Sequence, residues 1–152
     1  MSGRAVELET NAGVLRYLAD GGDPRSVAVA RPGPDTDTWR LGAHPDVVAR
    51  LWTTLNGALP ADARHLVAGG AALVQPESGA ILAIALGTRY AVRLAPAGFA
   101  EAMAGGHETR HSFVTVGRTL DLAETFGPGW VFGRFDEREP GWLADSYVVA
   151  TR

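Results

Sequence analysis

Three apolar runs in the middle of the chain, joined by very short polar connections, constrain the fold more than any other feature of the sequence. The runs are HLVAGGAALV at 65–74, GAILAIAL at 79–86 and RYAVRLA at 89–95. Connections this short join antiparallel strands, because a parallel pair needs a crossover of a dozen residues or more. The sequence therefore predicts a three-stranded antiparallel meander over about residues 66–94.

The side-chain pattern within these runs predicts where each strand lies. Residues 80–86 are apolar on both faces, which is typical of a central strand covered on both sides. In the third run, alternate residues fall on opposite faces: Arg89, Ala91 and Arg93 on one, and Tyr90, Val92 and Leu94 on the other. One face of this third strand is therefore expected to be polar.

About three helices are expected to pack on this sheet. The first begins at Pro45 and ends near Gly57, and its apolar residues recur at helical spacing. A shorter helix follows Pro96. A third begins at about Glu139, with Trp142, Leu143, Tyr147 and Val148 or Val149 facing inward. The predicted fold is α+β, a single domain over residues 1–152 with a mainly antiparallel sheet.

The N-terminal third is less decisive. Strands are predicted at 4–10 and 25–31, where apolar and polar residues alternate or apolar residues cluster. Residues 11–19 have two interpretations. The favoured one is a hairpin in which Asn-Ala-Gly turns into Val-Leu-Arg-Tyr-Leu-Ala; the alternative is a short helix capped by Asn11, with Val14, Leu15 and Leu18 on one face.

Composition excludes several classes of function. The absence of cysteine excludes disulfides, thiol chemistry and cysteine-ligated zinc. All 14 basic residues are arginine, they form no run, and the net charge is −3, so nucleic-acid binding is not expected. Neither a secretory leader nor a membrane span is expected, since the most apolar window is interrupted by arginine. These features, with the GC-rich coding bias that the arginines suggest, predict a bacterial cytoplasmic protein.

One short motif raises the question of metal chemistry. His107, Glu108 and His111 have the spacing of the zinc-protease signature, His-Glu-x-x-His. In that family both histidines lie on one helical face and bind zinc, and the glutamate takes a proton from the metal-bound water. Here two glycines precede His107, and strand formers follow His111. The sequence therefore predicts a loop between a short helix and a strand, with no metal or cofactor.

Aromatic and charged residues near the C-terminus suggest a contact surface. Tryptophan and phenylalanine alternate there with arginine and acids, a composition typical of interface anchors. The predicted partner-binding residues are Arg110, Trp130, Arg134, Phe135 and Trp142. The acidic residues Asp136, Glu137 and Glu139 are expected to cap the last helix.

Three functional hypotheses follow, and the first is preferred because no coherent catalytic set is present. It is a non-catalytic accessory protein that binds another protein, as an adaptor, inhibitor or immunity-type partner. The second is a small metal-dependent hydrolase, with His107 and His111 as ligands and Glu108 as general base. The third is a small-molecule binding module with a pocket between the sheet and the tryptophan-bearing C-terminal segment.

Overall fold

The computed structural model describes residues 11–19, 43–67, 70–113 and 118–150, so the strands predicted at 4–10 and 25–31 lie outside the described residues. A five-stranded antiparallel sheet has the order β1-β2-β3-β4-β7. Its strands are β1 (Arg64–Val67), β2 (Gly70–Val74), β3 (Ile81–Leu86), β4 (Arg89–Arg93) and β7 (Trp130–Phe132). A separate two-stranded sheet pairs β5 (Arg110–Phe113) with β6 (Arg118–Asp121).

The predicted meander is confirmed, with one strand more than expected. The run at 65–74 is two strands, because Val67 and Gly70 are register partners and the chain folds back on itself between them. The β2–β3 and β3–β4 connections contain Gly79 and Gly87, both at positive φ, a backbone conformation that side chains with a Cβ rarely adopt. As predicted, β3 is central and buried along its whole length.

Five helices lie around the sheet in the described residues. They are α1 (Ala12–Ala19), α2 (an α-helical segment Pro45–Ala49 that continues as a π-helical segment Arg50–Leu55), α3 (Pro96–Ala104), α4 (Leu122–Thr125) and α5 (Glu139–Ala150). The start of α2 follows from its sequence: Pro45 occupies the first turn, and the His44 side chain accepts a hydrogen bond from the Asp46 backbone N–H.

The favoured hairpin at 11–19 is wrong, because Ala12–Ala19 is a helix as in the alternative; its cap at Asn11 stays a prediction. Its position explains the outcome. Val14 is buried against the sheet, and a Cβ on Gly13 would lie 2.4 Å from the Thr125 carbonyl oxygen, so α1 runs very close to α4. Asn11 fixes the start of the helix by donating to the Gly79 carbonyl and accepting from the Ile81 N–H, at 2.9 Å each. Tertiary packing decides this segment, where propensity alone is nearly neutral.

The core lies on both faces of the sheet. On one face, residues of β2, β3 and β4 pack under α2, α3 and α5. On the other, residues of β3 and β7 pack against α1 and α4. Trp142, Leu143 and Tyr147 face inward from α5 as predicted, but Val148 and Val149 are about half exposed, which corrects the prediction for that last turn. Within the described residues, no helix is long and apolar enough to cross a membrane.

Candidate functional site

A cleft of about 750 Å³ opens at one end of the large sheet. β3 begins there, β4 ends there and β7 begins there, as the antiparallel order requires. The cleft is flanked by α3 and α5 on one face of the sheet and by α4 on the other. A volume of this size is within the range, roughly 300–1,000 Å³, that small-molecule sites occupy.

The wall of the cleft is almost entirely apolar. Its apolar and glycine residues are Ala80, Leu82, Leu94, Ala95, Pro96, Phe99, Ala123, Pro128, Gly129, Trp130, Val149 and Ala150. Two serines also line it. The Ser146 hydroxyl is already engaged: it accepts from the Ala95 N–H at 2.9 Å and donates to the Trp142 carbonyl at 3.3 Å. Most of the surface offered to a ligand is therefore hydrophobic.

Arg93 is the single charged residue among the described residues that line the cleft. It is the last residue of β4 and is partly buried. Loss of water on burial lowers the pKa of its guanidinium below the usual value. Its side chain makes no hydrogen bond or ion pair with any residue in the described ranges, in contrast to the partly buried Arg50 and Arg89.

Trp130, one of the predicted partner-binding residues, belongs to this cleft. It is the first residue of β7 and only 2% exposed, and its ring packs edge-to-face on Phe126 at 5.2 Å between centroids. Trp142, another predicted contact, is also buried, with its indole N–H donating to Glu101 at 2.7 Å. Both indoles therefore lie in the interior or in the cleft wall.

A second polar feature lies at the opposite end of α5. Glu139, its first residue, is fully buried, and its carboxylate accepts four hydrogen bonds. Tyr90 and Arg50 donate to Oε1, the latter at 3.1 Å. His107 Nε2 and the Arg134 backbone N–H donate to Oε2, at 2.8 Å each. We call Arg50, Tyr90, His107 and Glu139 the Glu139 cluster.

The Glu139 cluster ties distant segments together. Arg50, in α2, also donates to the Tyr90 hydroxyl at 3.2 Å and to the Asp136 carbonyl at 2.6 Å. Burial raises the pKa of Tyr90 well above its usual value, and the hydrogen bond to the Glu139 carboxylate raises it further. Glu139 was expected to cap the last helix; it is the first residue of α5, but its carboxylate turns inward and accepts hydrogen bonds from other segments. Asp136 does accept from the Arg138 N–H just before the helix, at 2.8 Å.

The His-Glu-x-x-His motif is not helical. His107 follows the end of α3 in a loop, and His111 lies in β5. Their imidazoles have different partners: His107 bonds Glu139, and His111 Nδ1 lies 3.0 Å from an Arg89 nitrogen. The described residues contain no group of three His, Cys, Asp or Glu side chains placed to hold a metal ion. The predicted loop between helix and strand is confirmed.

The remaining predicted contact residues lie at the surface. Arg110 is exposed and lies 3.6 Å from Asp121 across the small sheet. Arg134 is exposed and donates to the Gly105 carbonyl at 3.1 Å. Phe135 is 51% exposed and has φ of 55°, the only described non-glycine residue with positive φ. Its N–H donates to the Tyr90 hydroxyl at 2.7 Å, and the Arg50 guanidinium lies 5.7 Å from its ring centroid.

Sequence reasoning missed the importance of Arg93 and Glu139. The sequence pattern assigned Arg93 only to the polar face of the third predicted strand. The one available signal was an arginine that directly follows apolar β4 residues and precedes Leu94 and Ala95. Glu139 carried no signal of burial, since an acid at a helix start is usually solvated.

Comparison of the chain with protein-family models, curated proteins and solved structures finds no match.

Proposed function

We propose that this protein is a binding module for a small, largely apolar molecule that occupies the cleft. The observation that carries the proposal is a cleft of about 750 Å³ whose described wall contains twelve apolar or glycine residues, two serines and one arginine. Small-molecule sites combine a mostly hydrophobic lining with a few placed polar groups, which is the composition found here. The proposal develops the third hypothesis from the sequence, a small-molecule binding module.

The walls of the cleft suit a binding role because much of the lining comes from strands and helices. Trp130 and Leu82 belong to sheet strands, and Phe99 belongs to α3. A preformed wall lowers the entropy cost of binding, because few side chains must be ordered by the ligand. Burial of apolar ligand surface then contributes roughly 25 cal/mol per Å² before those costs are subtracted.

The test uses the neutral fluorophore N-phenyl-1-naphthylamine, whose emission rises in an apolar site. Val149 and Val148 are neighbours on the last turn of α5 and are similarly exposed, but only Val149 lines the cleft. We expect saturable binding to the wild type, loss of binding in Val149→Trp, and retained binding in Val148→Trp. Ala123→Trp is a second filling variant, because Ala123 is exposed and lines the cleft from α4.

Three outcomes would contradict the proposal. They are an absence of saturable binding to the wild type, binding that survives both filling variants, and equal loss in Val149→Trp and Val148→Trp. Equal thermal unfolding midpoints in the variants establish that a lost signal reflects the filled cleft. The cytoplasmic location expected from the sequence stays a prediction that this experiment does not address.

The protein-partner hypothesis remains a second proposal, and Phe135 is the observation that favours it. An exposed aromatic side chain held at positive φ is a costly arrangement, and such strain concentrates at functional positions. The hydrogen bond from the Phe135 N–H to the Tyr90 hydroxyl and the contact of Arg50 with the Phe135 ring keep that ring in place. Aromatic and arginine side chains dominate interface hot spots.

This second proposal is tested by comparing complexes recovered from native lysate. Leu66, on β1, is a matched control because it is similarly exposed. A partner that is lost with Phe135→Ala and retained with Leu66→Ala supports the hypothesis. A partner that both variants retain, or no partner at all, counts against Phe135 as the contact residue.

A further inference from the structure

We propose that the ligand of the cleft is an amphipathic carboxylate, with its acid group on Arg93 and its apolar body against the rest of the wall. The inference rests on the proposed function, since it concerns the same cleft. It names the chemical class of the ligand, a small monocarboxylic acid with an aliphatic or aromatic body. Four observations on charge, partners, shape and helix ends support it.

The first observation is that Arg93 differs from the other partly buried arginines. Arg50 pairs with Glu139, and Arg89 contacts His111 and lies over the Phe132 ring. Within the described ranges, Arg93 has no such partner and no acidic side chain beside it in the cleft wall. Arg93 is partly buried, and a charge that has lost part of its hydration gains from an oppositely charged partner. A carboxylate ligand would supply the missing partner.

The second observation is the loss of water around Arg93. Burial lowers the pKa of this guanidinium, and within the described ranges no neighbouring acid offsets it. An anion that enters the cleft meets a cation that has already lost part of its hydration. The attraction between them is therefore less screened than on an open surface. This argues for an anion over a neutral polar head group.

The third observation concerns shape and donor number. A guanidinium offers two parallel N–H donors that match the two oxygens of one carboxylate. The chain contains no lysine, and the described wall contains no second cation. The single guanidinium of Arg93, with its one charge and one pair of parallel N–H donors, fits a monocarboxylate better than a phosphate, which presents three oxygens and more charge. Phe99, Pro96 and Ala150 provide the apolar surface for the remainder of the ligand.

The fourth observation is that helix ends do not decide the sign of the site. The N-terminus of α3, at Ala95 and Pro96, and the C-terminus of α5, at Ala150, both line the cleft. Helix ends carry about half an elementary charge each, positive at the N-terminus and negative at the C-terminus. These two contributions offset one another. The full charge of Arg93 therefore determines that the cleft favours an anion.

The experiment compares decanoate with 1-decanol, which share a ten-carbon chain and differ in the head group. Each displaces N-phenyl-1-naphthylamine from the wild type at pH 7.5. A hydrogen-bonded ion pair contributes enough for decanoate to bind about tenfold to a hundredfold more tightly than the alcohol. We expect Arg93→Gln to remove this preference and Arg93→Lys to retain part of it. Arg89→Gln is the matched control, since Arg89 lies on β4 outside the cleft wall.

A salt titration of the wild type gives a readout that needs no variant. Decanoate affinity falls as sodium chloride rises, whereas decanol affinity does not. Equal affinities for the two probes, or a preference that Arg93→Gln retains, would overturn the carboxylate inference while the proposed function stands. Failure of the fluorophore itself to bind the wild type would overturn the proposed function. Circular dichroism and the unfolding midpoint verify that Arg93→Gln is folded.

Discussion

At the first residue of α5, the Glu139 carboxylate takes up every hydrogen-bonding direction open to it. Its donors come from α2, from β4, from the loop after α3 and from the loop after β7. These four hydrogen bonds compensate for the burial of the carboxylate charge. In turn, the four donors rely on the Glu139 side chain as an acceptor. His107 also has a buried Nδ1 without a partner among the described residues, so the cluster tolerates little further loss.

We expect Glu139→Ala to lower the free energy of unfolding by about 3–5 kcal/mol, because it leaves the Arg50 charge and three other donors without their acceptor. Glu139→Gln keeps the shape and some acceptor capacity and is expected to cost less. Chemical denaturation provides the measurement. Glu137→Ala, at an exposed neighbouring position, is the control and is expected to change stability by less than about 0.5 kcal/mol. A loss below about 1 kcal/mol in Glu139→Ala would show that the cluster is not stabilising.

At the scale of elements, two glycines near α5 show how the same residue type serves opposite purposes. Gly133, directly after β7, lies so close to Tyr90 that an added Cβ would be 1.8 Å from the ring. Gly141, in the first turns of α5, has open space around it. The first glycine is required by close packing, and the second only weakens a helix.

Alanine substitutions at these two glycines are therefore expected to have opposite signs. Gly133→Ala forces the Tyr90 ring to move and is expected to destabilise by about 1–3 kcal/mol or more. Gly141→Ala removes backbone freedom from the unfolded chain and is expected to stabilise by about 0.5–1 kcal/mol. Urea unfolding curves of both variants measure the effect. Two changes of the same sign would contradict the packing described here.

The elements that the sequence predicted best are those with a continuous or periodic apolar pattern between clear breakers. The central strand at 81–86 and the helix from Pro45 are both of this kind. The segment at 11–19 is neither, because it is short and its helix is stabilised by contacts with α4 and with the turn at Gly79. The candidate site was harder still. A pocket beside the C-terminal segment was one of three hypotheses from the sequence, whereas an arginine without a partner among the described residues can be recognised only from the structure.

At the scale of the whole molecule, the absence of lysine makes alkaline unfolding informative. Arginine stays protonated well above pH 12, so tyrosines are the side chains that titrate between pH 9 and 11. The fold raises the pKa of Tyr90, through burial and its hydrogen bond to Glu139. A raised pKa means that the folded state holds its proton longer than the unfolded state does.

The sign of the pH dependence follows from this difference. Above about pH 10, the ordinary tyrosine pKa, the unfolded chain releases a proton that folded Tyr90 retains, so stability falls as pH rises. Below that pH the contribution of Tyr90 is fully present. We expect the free energy of unfolding, measured in urea from pH 8 to 11, to decline more steeply in the wild type than in Tyr90→Phe. Parallel declines would contradict the assignment to Tyr90.

The two ends of α5 differ in a way that bears on how the cleft fills. Its first residue is fixed by the Glu139 cluster, whereas its last turn, with Val149 and Ala150, forms cleft wall and is partly open to solvent. Helix ends unravel locally with little free energy. A ligand that packs on the last turn of α5 should keep that turn helical. Amide hydrogen exchange would then slow at residues 147–150 on ligand binding and stay unchanged at 141–143, so the helix would report occupancy from one end only.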